Sequence, residues 1–310
     1  MAGTGGQRLP SMAPPSLRSP ARSTASAVSR PFSQPRSPGG LGCQGVYICV
    51  AHPEGTKELG RAGFVRGCWH DSSMTTTGRL ELVALDAPDI EKLASFYAEL
   101  TGWEILRKES DWITVRAGDG QEIAFQLAPD HVAPQWPGQE NPQQFHLDLL
   151  VDGYQSAAER AVGLGATRLA DGQTWITLAD PAGHPFDLCQ RDGVGPVMGL
   201  FAVTIDAPDA AALARFYASL MGMEVTYEGP EGALIAGDGN SVMFQQVSGY
   251  NSPRWPDPAY PQQVHLDIMV EDLDTGEALA LELGASRLDG GGESFRVFAD
   301  PAGHPFCLTA

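Results

Sequence analysis

The sequence predicts an α+β protein in which one unit of alternating strands and helices is written twice. Three observations carry this. Segments recur at a spacing of about 120 residues, most visibly Ala179 to Phe186 (ADPAGHPF), which returns unchanged at Ala299 to Phe306. Leu85-Asp-Ala-Pro-Asp89 returns as Ile205-Asp-Ala-Pro-Asp209, Phe96-Tyr97 as Phe216-Tyr217, and His146-Leu-Asp148 as His265-Leu-Asp267. Within each copy, period-two apolar runs alternate with helix-period runs. Two copies of so long a unit are a domain duplication rather than a solenoid.

Taken in order, Leu80 to Leu85 reads as a strand. Asp89 to Thr101 reads as a helix with Ile90, Leu93, Ala94, Tyr97 and Leu100 on one face, Pro88 fitting its first turn and Gly102 its stop. Strands follow around Ile105, at Trp112 to Arg116 and at Glu122 to Leu127, separated by turn residues. A loop rich in Trp and Pro (Ala133-Pro-Gln-Trp-Pro137) leads into a strand from Phe145 to Val151. A helix from Tyr154 to about Leu164 ends at Gly165, and short strands close the unit, the last two joined by Asp180-Pro-Ala-Gly183. Each copy is thus a β-α-β-β-β module followed by another of the same kind. Residues 79–191 form the first domain, 192–198 a Gly- and Pro-containing linker, and 199–310 the second domain.

Charge separates this repeated part from what precedes it. Residues 1–73 carry eight Lys and Arg against three Asp and Glu, whereas the whole chain of 310 residues has a formal charge of −18. A folded part this acidic repels a phosphate backbone and an anionic membrane surface, so nucleic acid and membrane are not expected partners. No apolar run approaches the ~20 residues of a membrane helix. The first 40 residues hold seven Pro and eight Ser without one acid, a composition that cannot offset its ordering entropy. We expect Met74 to be the initiator and residues 1–73 to be an upstream extension or disordered tail, with a targeting peptide as the competing reading. Five scattered cysteines make no disulfide framework and suit a reducing, cytoplasmic setting.

The helix ending in Phe-Tyr before Leu-Thr-Gly, with a last hairpin of the form Asp-Pro-x-Gly-x-x-Phe-x-Leu, resembles the vicinal oxygen chelate superfamily. That superfamily includes glyoxalase I, methylmalonyl-CoA epimerase, bleomycin- and fosfomycin-resistance proteins and extradiol dioxygenases. The likeness is greatest to small glyoxalase-like domains of unassigned activity. The resemblance spans nearly all of residues 79–310 and implies two tandem domains, each a pair of βαβββ modules forming an open, barrel-like cleft. It also implies an intrachain pseudo-dimer of the two copies.

The resemblance further implies a divalent metal on the inner face of the cleft. The family's first ligand position falls on Leu82 and Ala202, neither of which can bind metal. The second falls on Gln126 and Gln245, the third on His146 and His265, and the fourth on Asp187 and Cys307. The first copy thus keeps an imidazole, an amide oxygen and a carboxylate, a set compatible with Zn²⁺, Ni²⁺, Mn²⁺ or Co²⁺. The second copy's set is altered by Cys307, and metal there stays open. Strand alternation agrees with an inward-facing site: His146 and Asp148 share one face opposite Leu147, Leu149 and Val151, and His265 and Asp267 lie opposite Leu266, Ile268 and Val270. A metal-free hydrogen-bond network of the same residues is the alternative. His184 and His304, following Gly in hairpin turns, read as exposed.

Two functions follow. One is a metal-assisted lyase or isomerase acting on a carbonyl or vicinal-oxygen substrate, with Asp187 or Asp148 as the base. The other is a metal-free protein that sequesters an antibiotic or metabolite, as bleomycin-resistance proteins do. Trp112, Trp136, Trp175 and Trp255, with Asp267, are the expected ligand-contacting residues, Trp136 and Trp255 serving either as lids or as plugs. Extradiol cleavage is disfavoured because Leu82 and Ala202 remove one histidine position from each copy.

Overall fold

The computed structural model describes residues 78–310 except residue 139. The expectations about Met74 and the leader lie outside these residues. Four modules follow one another. The first comprises β1 (Gly78–Ala87), α1 (Ile90–Thr101), β2 (Glu104–Lys108), β3 (Trp112–Arg116) and β4 (Glu122–Leu127). The second is β5 (Phe145–Val151), α2 (Tyr154–Gly163), β6 (Thr167–Asp171), β7 (Trp175–Ala179) and β8 (Pro185–Gln190). The third is β9 (Gly199–Ala207), α3 (Ala210–Met221), β10 (Glu224–Gly229), β11 (Gly232–Gly237) and β12 (Asn240–Gln246). The fourth is β13 (Val264–Val270), α4 (Leu273–Glu282), β14 (Ser286–Gly291), β15 (Phe295–Ala299) and β16 (Pro305–Thr309).

Local chemistry sets the helix ends. The Asp89 carboxylate accepts from the Lys92 amide at 3.0 Å, and Asp209 accepts from Ala212 at 2.9 Å. Each such cap contributes about 1 kcal/mol. Pro88 lies one residue before the cap, not in the first turn. Gly102 and Gly222 end α1 and α3 at φ of 79° and 65°, a left-handed conformation that a Cβ would strain.

The strands form two open eight-stranded sheets, and each sheet draws one module from each copy. The terminal sheet runs β14-β15-β16-β13-β1-β4-β3-β2, from the first and fourth modules. The central sheet runs β10-β11-β12-β9-β5-β8-β7-β6, from the second and third. The seams are antiparallel: β1 against β13, with Ala84 opposite His265, and β5 against β9, with His146 opposite Thr204. The two copies therefore exchange partners rather than standing side by side.

One continuous apolar core fills the space between the helices and the helix-facing sides of both sheets. It includes Leu93, Tyr97 and Leu100 of α1, Leu147 and Leu149 of β5, and Phe306 and Leu308 of β16. The opposite faces carry smaller clusters, such as Leu82, Ala84, Trp112 and Ala124 in the terminal sheet. The greasy face thus meets the helices and the mixed face forms each cleft, as the alternation predicts. Tyr97 stacks on Phe125 with ring centroids 5.4 Å apart, and Tyr217 stacks on Phe244 at 5.6 Å.

Candidate functional site: two clefts of different chemistry

In the central cleft, His146 and Asp148 project from β5 and Asp187 from β8, where Asp148 and Asp187 are register partners. Donor atoms of the three lie within 4.8 Å of one another, and all three residues are at most 3% exposed. The His146 Nε2 stands 3.7 Å from Asp148 Oδ1. The Thr204 hydroxyl of β9 donates to Asp148 Oδ2 at 2.5 Å. Burial, with the neighbouring Asp187 charge added, pushes the Asp148 carboxyl well above the usual range, so it keeps a proton that an exposed carboxyl loses. Like charges this close disfavour each other, so the pair releases its last proton less readily than an isolated carboxyl does. Trp175 and Cys189 pack together, with Leu150 against them, and Ala202, Leu234 and Met243 form another apolar wall. The buried Thr177 Oγ1 and Gln245 Oε1 have no hydrogen-bond partner among the described residues.

The terminal cleft repeats the plan with one substitution. His265 and Asp267 come from β13, and Cys307 of β16 stands in register with Asp267. Their donor atoms again lie within 4.8 Å of one another. His265 Nε2 is 3.4 Å from Asp267 Oδ1. Burial works to lower the His265 imidazole, but the Asp267 carboxylate and more distant Asp86 outweigh it, and the net shift is upward. The Cys307 thiol is driven well above its ordinary value by burial and by Asp267, so without a cation it stays a thiol. Trp255 packs on the cluster of Phe295, Val297 and Cys307, and the Trp112 ring lies 6.5 Å from that of His265.

Each cleft histidine is held from behind by a glutamine three residues earlier. Gln143 Nε2 lies 3.0 Å from His146 Nδ1 and also donates to Asp206 at 3.2 and 3.3 Å. Gln262 Nε2 lies 2.9 Å from His265 Nδ1 and donates to Asp86 at 3.2 and 3.1 Å. Burial pushes Asp86 and Asp206 up to about 7 each, against the lowering effects of these glutamines and, at Asp86, of His265. In both cases the aspartate belongs to the other copy.

The structure sorts the expected residues in its own way. His146, Asp148 and Asp187 come together; Gln245 lies on β12 of the same sheet and connects to His146 through Asp206 and Gln143, its Nε2 donating to Asp206 at 3.4 Å. Gln126 does not join them. It lies on β4 of the terminal sheet, in register with Asp86 and opposite Trp112, on the side of His265, Asp267 and Cys307. Among the tryptophans, Trp112 and Trp255 reach the terminal cleft, and Trp136 is half-buried in the loop before β5. The expectation that His184 and His304 are exposed is overturned: they are 2% and 0% exposed. Asp180 receives His184 Nδ1 at 3.1 Å together with the amides of Ala182 and His184, and Asp300 does the same for His304 at 3.0 Å. Sequence reading missed Thr204 and the Gln–Asp pairs, although Gln at three residues before His recurs in both copies.

The donor chemistry fits a divalent cation in both clefts, by different routes. An imidazole and two carboxylates, with a buried amide oxygen on the same sheet, suit a hard-to-borderline ion. An imidazole, a carboxylate and a thiol favour a softer one.

The profile of the Glyoxalase-like domain matches residues 82–189 and again 202–309. A comparison with curated protein sequences returns no match. Among solved structures, glyoxalase I from Zea mays aligns with a TM-score of 0.54 at 19% identity, covering 75% of this chain and 92% of that one. A candidate dioxygenase from Bacillus subtilis aligns at 0.52 and 15% identity, covering 76% and 85%. At these identities the likeness establishes the fold. With both copies matched, the chain belongs to the glyoxalase-like family of the vicinal oxygen chelate superfamily, as a tandem of two such domains.

Proposed function

We propose that the central cleft is a catalytic site for proton transfer next to a carbonyl, an isomerase- or lyase-type reaction on a small substrate with neighbouring oxygens. The observation that carries this reading is the convergence of His146, Asp148 and Asp187, donor atoms within 4.8 Å of one another, on the buried face of the central sheet beside the apolar clusters of Trp175 and Met243. A divalent cation held by His146, Asp187 and the Gln245 amide would polarise the substrate oxygens. Asp187 is the carboxylate placed to take the proton. Asp148, held neutral by burial and by Asp187, is placed to donate one. Thr204 fixes the Asp148 carboxyl and leaves its other oxygen toward His146. Trp175, Leu150, Leu234 and Met243 would exclude water from the substrate.

A binding role without turnover is favoured for the terminal cleft. There Cys307 stands where the central cleft has Asp187, and Trp112 and Trp255 bring aromatic surface to the same place. Asp187→Asn separates the two readings. The variant keeps size and one oxygen acceptor but loses the proton affinity of a base. Activity on an α-hydroxycarbonyl or thiohemiacetal should fall by at least ~100-fold. Full activity in the variant removes Asp187 from the reaction.

A further inference from the structure

We infer that Gln143 and Gln262 are positioning residues that dictate which imidazole nitrogen faces each cleft, and that each does so from a carboxylate lent by the other copy. Each glutamine places its amide nitrogen against an aspartate of the other copy, Gln143 Nε2 against Asp206 and Gln262 Nε2 against Asp86, and an amide nitrogen only donates. That same nitrogen then has a second hydrogen, and it lies 3.0 Å from His146 Nδ1 and 2.9 Å from His265 Nδ1. In the neutral ring Nδ1 is therefore the acceptor, and the ring proton sits on Nε2. In each cleft Nε2 is the nitrogen nearest the neighbouring carboxyl, Asp148 or Asp267.

The orientation is imposed rather than incidental. Gln262 leaves its own Oε1 buried without a hydrogen-bond partner among the described residues, so the aspartate decides which way the amide lies. Both glutamines are at most 5% exposed, which removes water as an easy competitor. The backbone locks the register: the Asp86 amide donates to Gln263 O at 2.9 Å and the Asp206 amide to Gln144 O at 3.0 Å, straddling the seams between copies. Each cleft histidine thus carries its proton on the nitrogen nearest the cleft carboxyl, Asp148 or Asp267. A cation can take Nε2 only if the amide turns over or gives way. Loading either cleft with metal is coupled to a rearrangement at the seam.

The inference deepens the proposed function, since it concerns the same histidines, but it can be tested without any reaction. Side-chain ¹⁵N spectra of histidine-labelled, metal-free full-length protein report the tautomer directly at a pH above the titration of Asp86 and Asp206 near 7, once the spectra show both rings neutral. His146 and His265 should both appear as Nε2–H in the unaltered protein, and Nδ1–H in either overturns the inference. Gln143→Glu replaces the amide donor by an acceptor and should move His146 to Nδ1–H, leaving His265 unchanged. Gln143→Met should give a mixture at His146. If His146 keeps one tautomer in both variants, the glutamine does not set it. With Co²⁺ alone as the probe, Gln143→Glu should bind at least ~10-fold more tightly in the central cleft, because a ring with its Nε2 lone pair free is already prepared to ligate. Equal Co²⁺ affinity alongside the expected tautomer change would overturn the coupling to metal. Failure of Asp187→Asn to lower activity, by contrast, bears only on the reaction.

Discussion

The phenolic oxygen of Tyr97 lies 3.1 Å from Oδ2 of Asp180, and Tyr217 lies 2.9 Å from Asp300 in the same relationship. Each bond joins the helix of one module to the last hairpin of the next. The two modules belong to one copy, yet their strands sit in different sheets. The repeated Phe-Tyr and Asp-Pro-Ala-Gly-His-Pro-Phe segments are thus two ends of one buried clamp. Tyr97→Phe should destabilise the fold by about 1–3 kcal/mol, because Asp180 keeps its burial and loses a donor. Urea unfolding of Tyr97→Phe, Asp180→Asn and the double variant measures the coupling. Strictly additive effects would show that the contact contributes nothing.

Stability should fall as pH rises through neutrality. Asp86 and Asp206 titrate near 7 when folded against 3.8 for an unperturbed carboxyl, so the native state holds protons that the unfolded chain has released. Their stabilising contribution is complete below about pH 4 and is lost as pH passes about 7. His131, lowered to about 4 by burial, opposes this between about pH 4 and 6.5. Asp86→Asn should gain on the unaltered protein at pH 8 relative to pH 5, as read from urea midpoints. An unchanged pH profile would contradict the assignment.

The clefts should differ in metal preference. Co²⁺ added to the full-length protein should give a thiolate-to-cobalt absorption band that disappears in Cys307→Ser and persists in His146→Ala. Mn²⁺, which avoids thiolate, should depend on His146 and not on His265. The reverse dependence would overturn the distinction.

A single copy should not remain a monomer. Residues 74–191 alone leave β1 and β5, central strands of two different sheets, without their antiparallel neighbours. Two such chains can satisfy each other by pairing β1 with β5 twice, so light scattering should report a dimer. A stable monomer would mean that the copy folds back on itself.

Much of the fold was legible residue by residue. Trp112 to Arg116, Glu122 to Leu127 and Phe145 to Val151 were bounded correctly, because turn residues flank a clear alternation. Which modules share a sheet was not legible. The β5 segment (Phe-His-Leu-Asp) and the β13 segment (Val-His-Leu-Asp) offer β1 nearly the same edge, so local chemistry cannot choose between them. Sequence position alone therefore groups Gln126 with His146, although the two lie in different sheets. A turn position alone points to exposure for His184 and His304, because turns usually lie at the surface. The overlooked signal was the Asp four residues earlier, able to bind both the imidazole and the turn amides. Gln143, Gln262, Asp86 and Asp206 stood in the repeat, but their meaning depends on the seam that brings them together.

The exchange of modules has a consequence for how such a protein can change. In a symmetric pair of separate chains, any altered cleft residue appears twice, and both clefts share its fate. Here a substitution in either copy alters one cleft from one side only. Asp187 and Cys307 occupy equivalent strands yet serve different clefts. Covalent linkage therefore frees one cleft to drift in chemistry while its twin is held constant. A copy separated from its twin could rebuild a cleft only by pairing with another copy of itself, and both clefts would then carry the same residues.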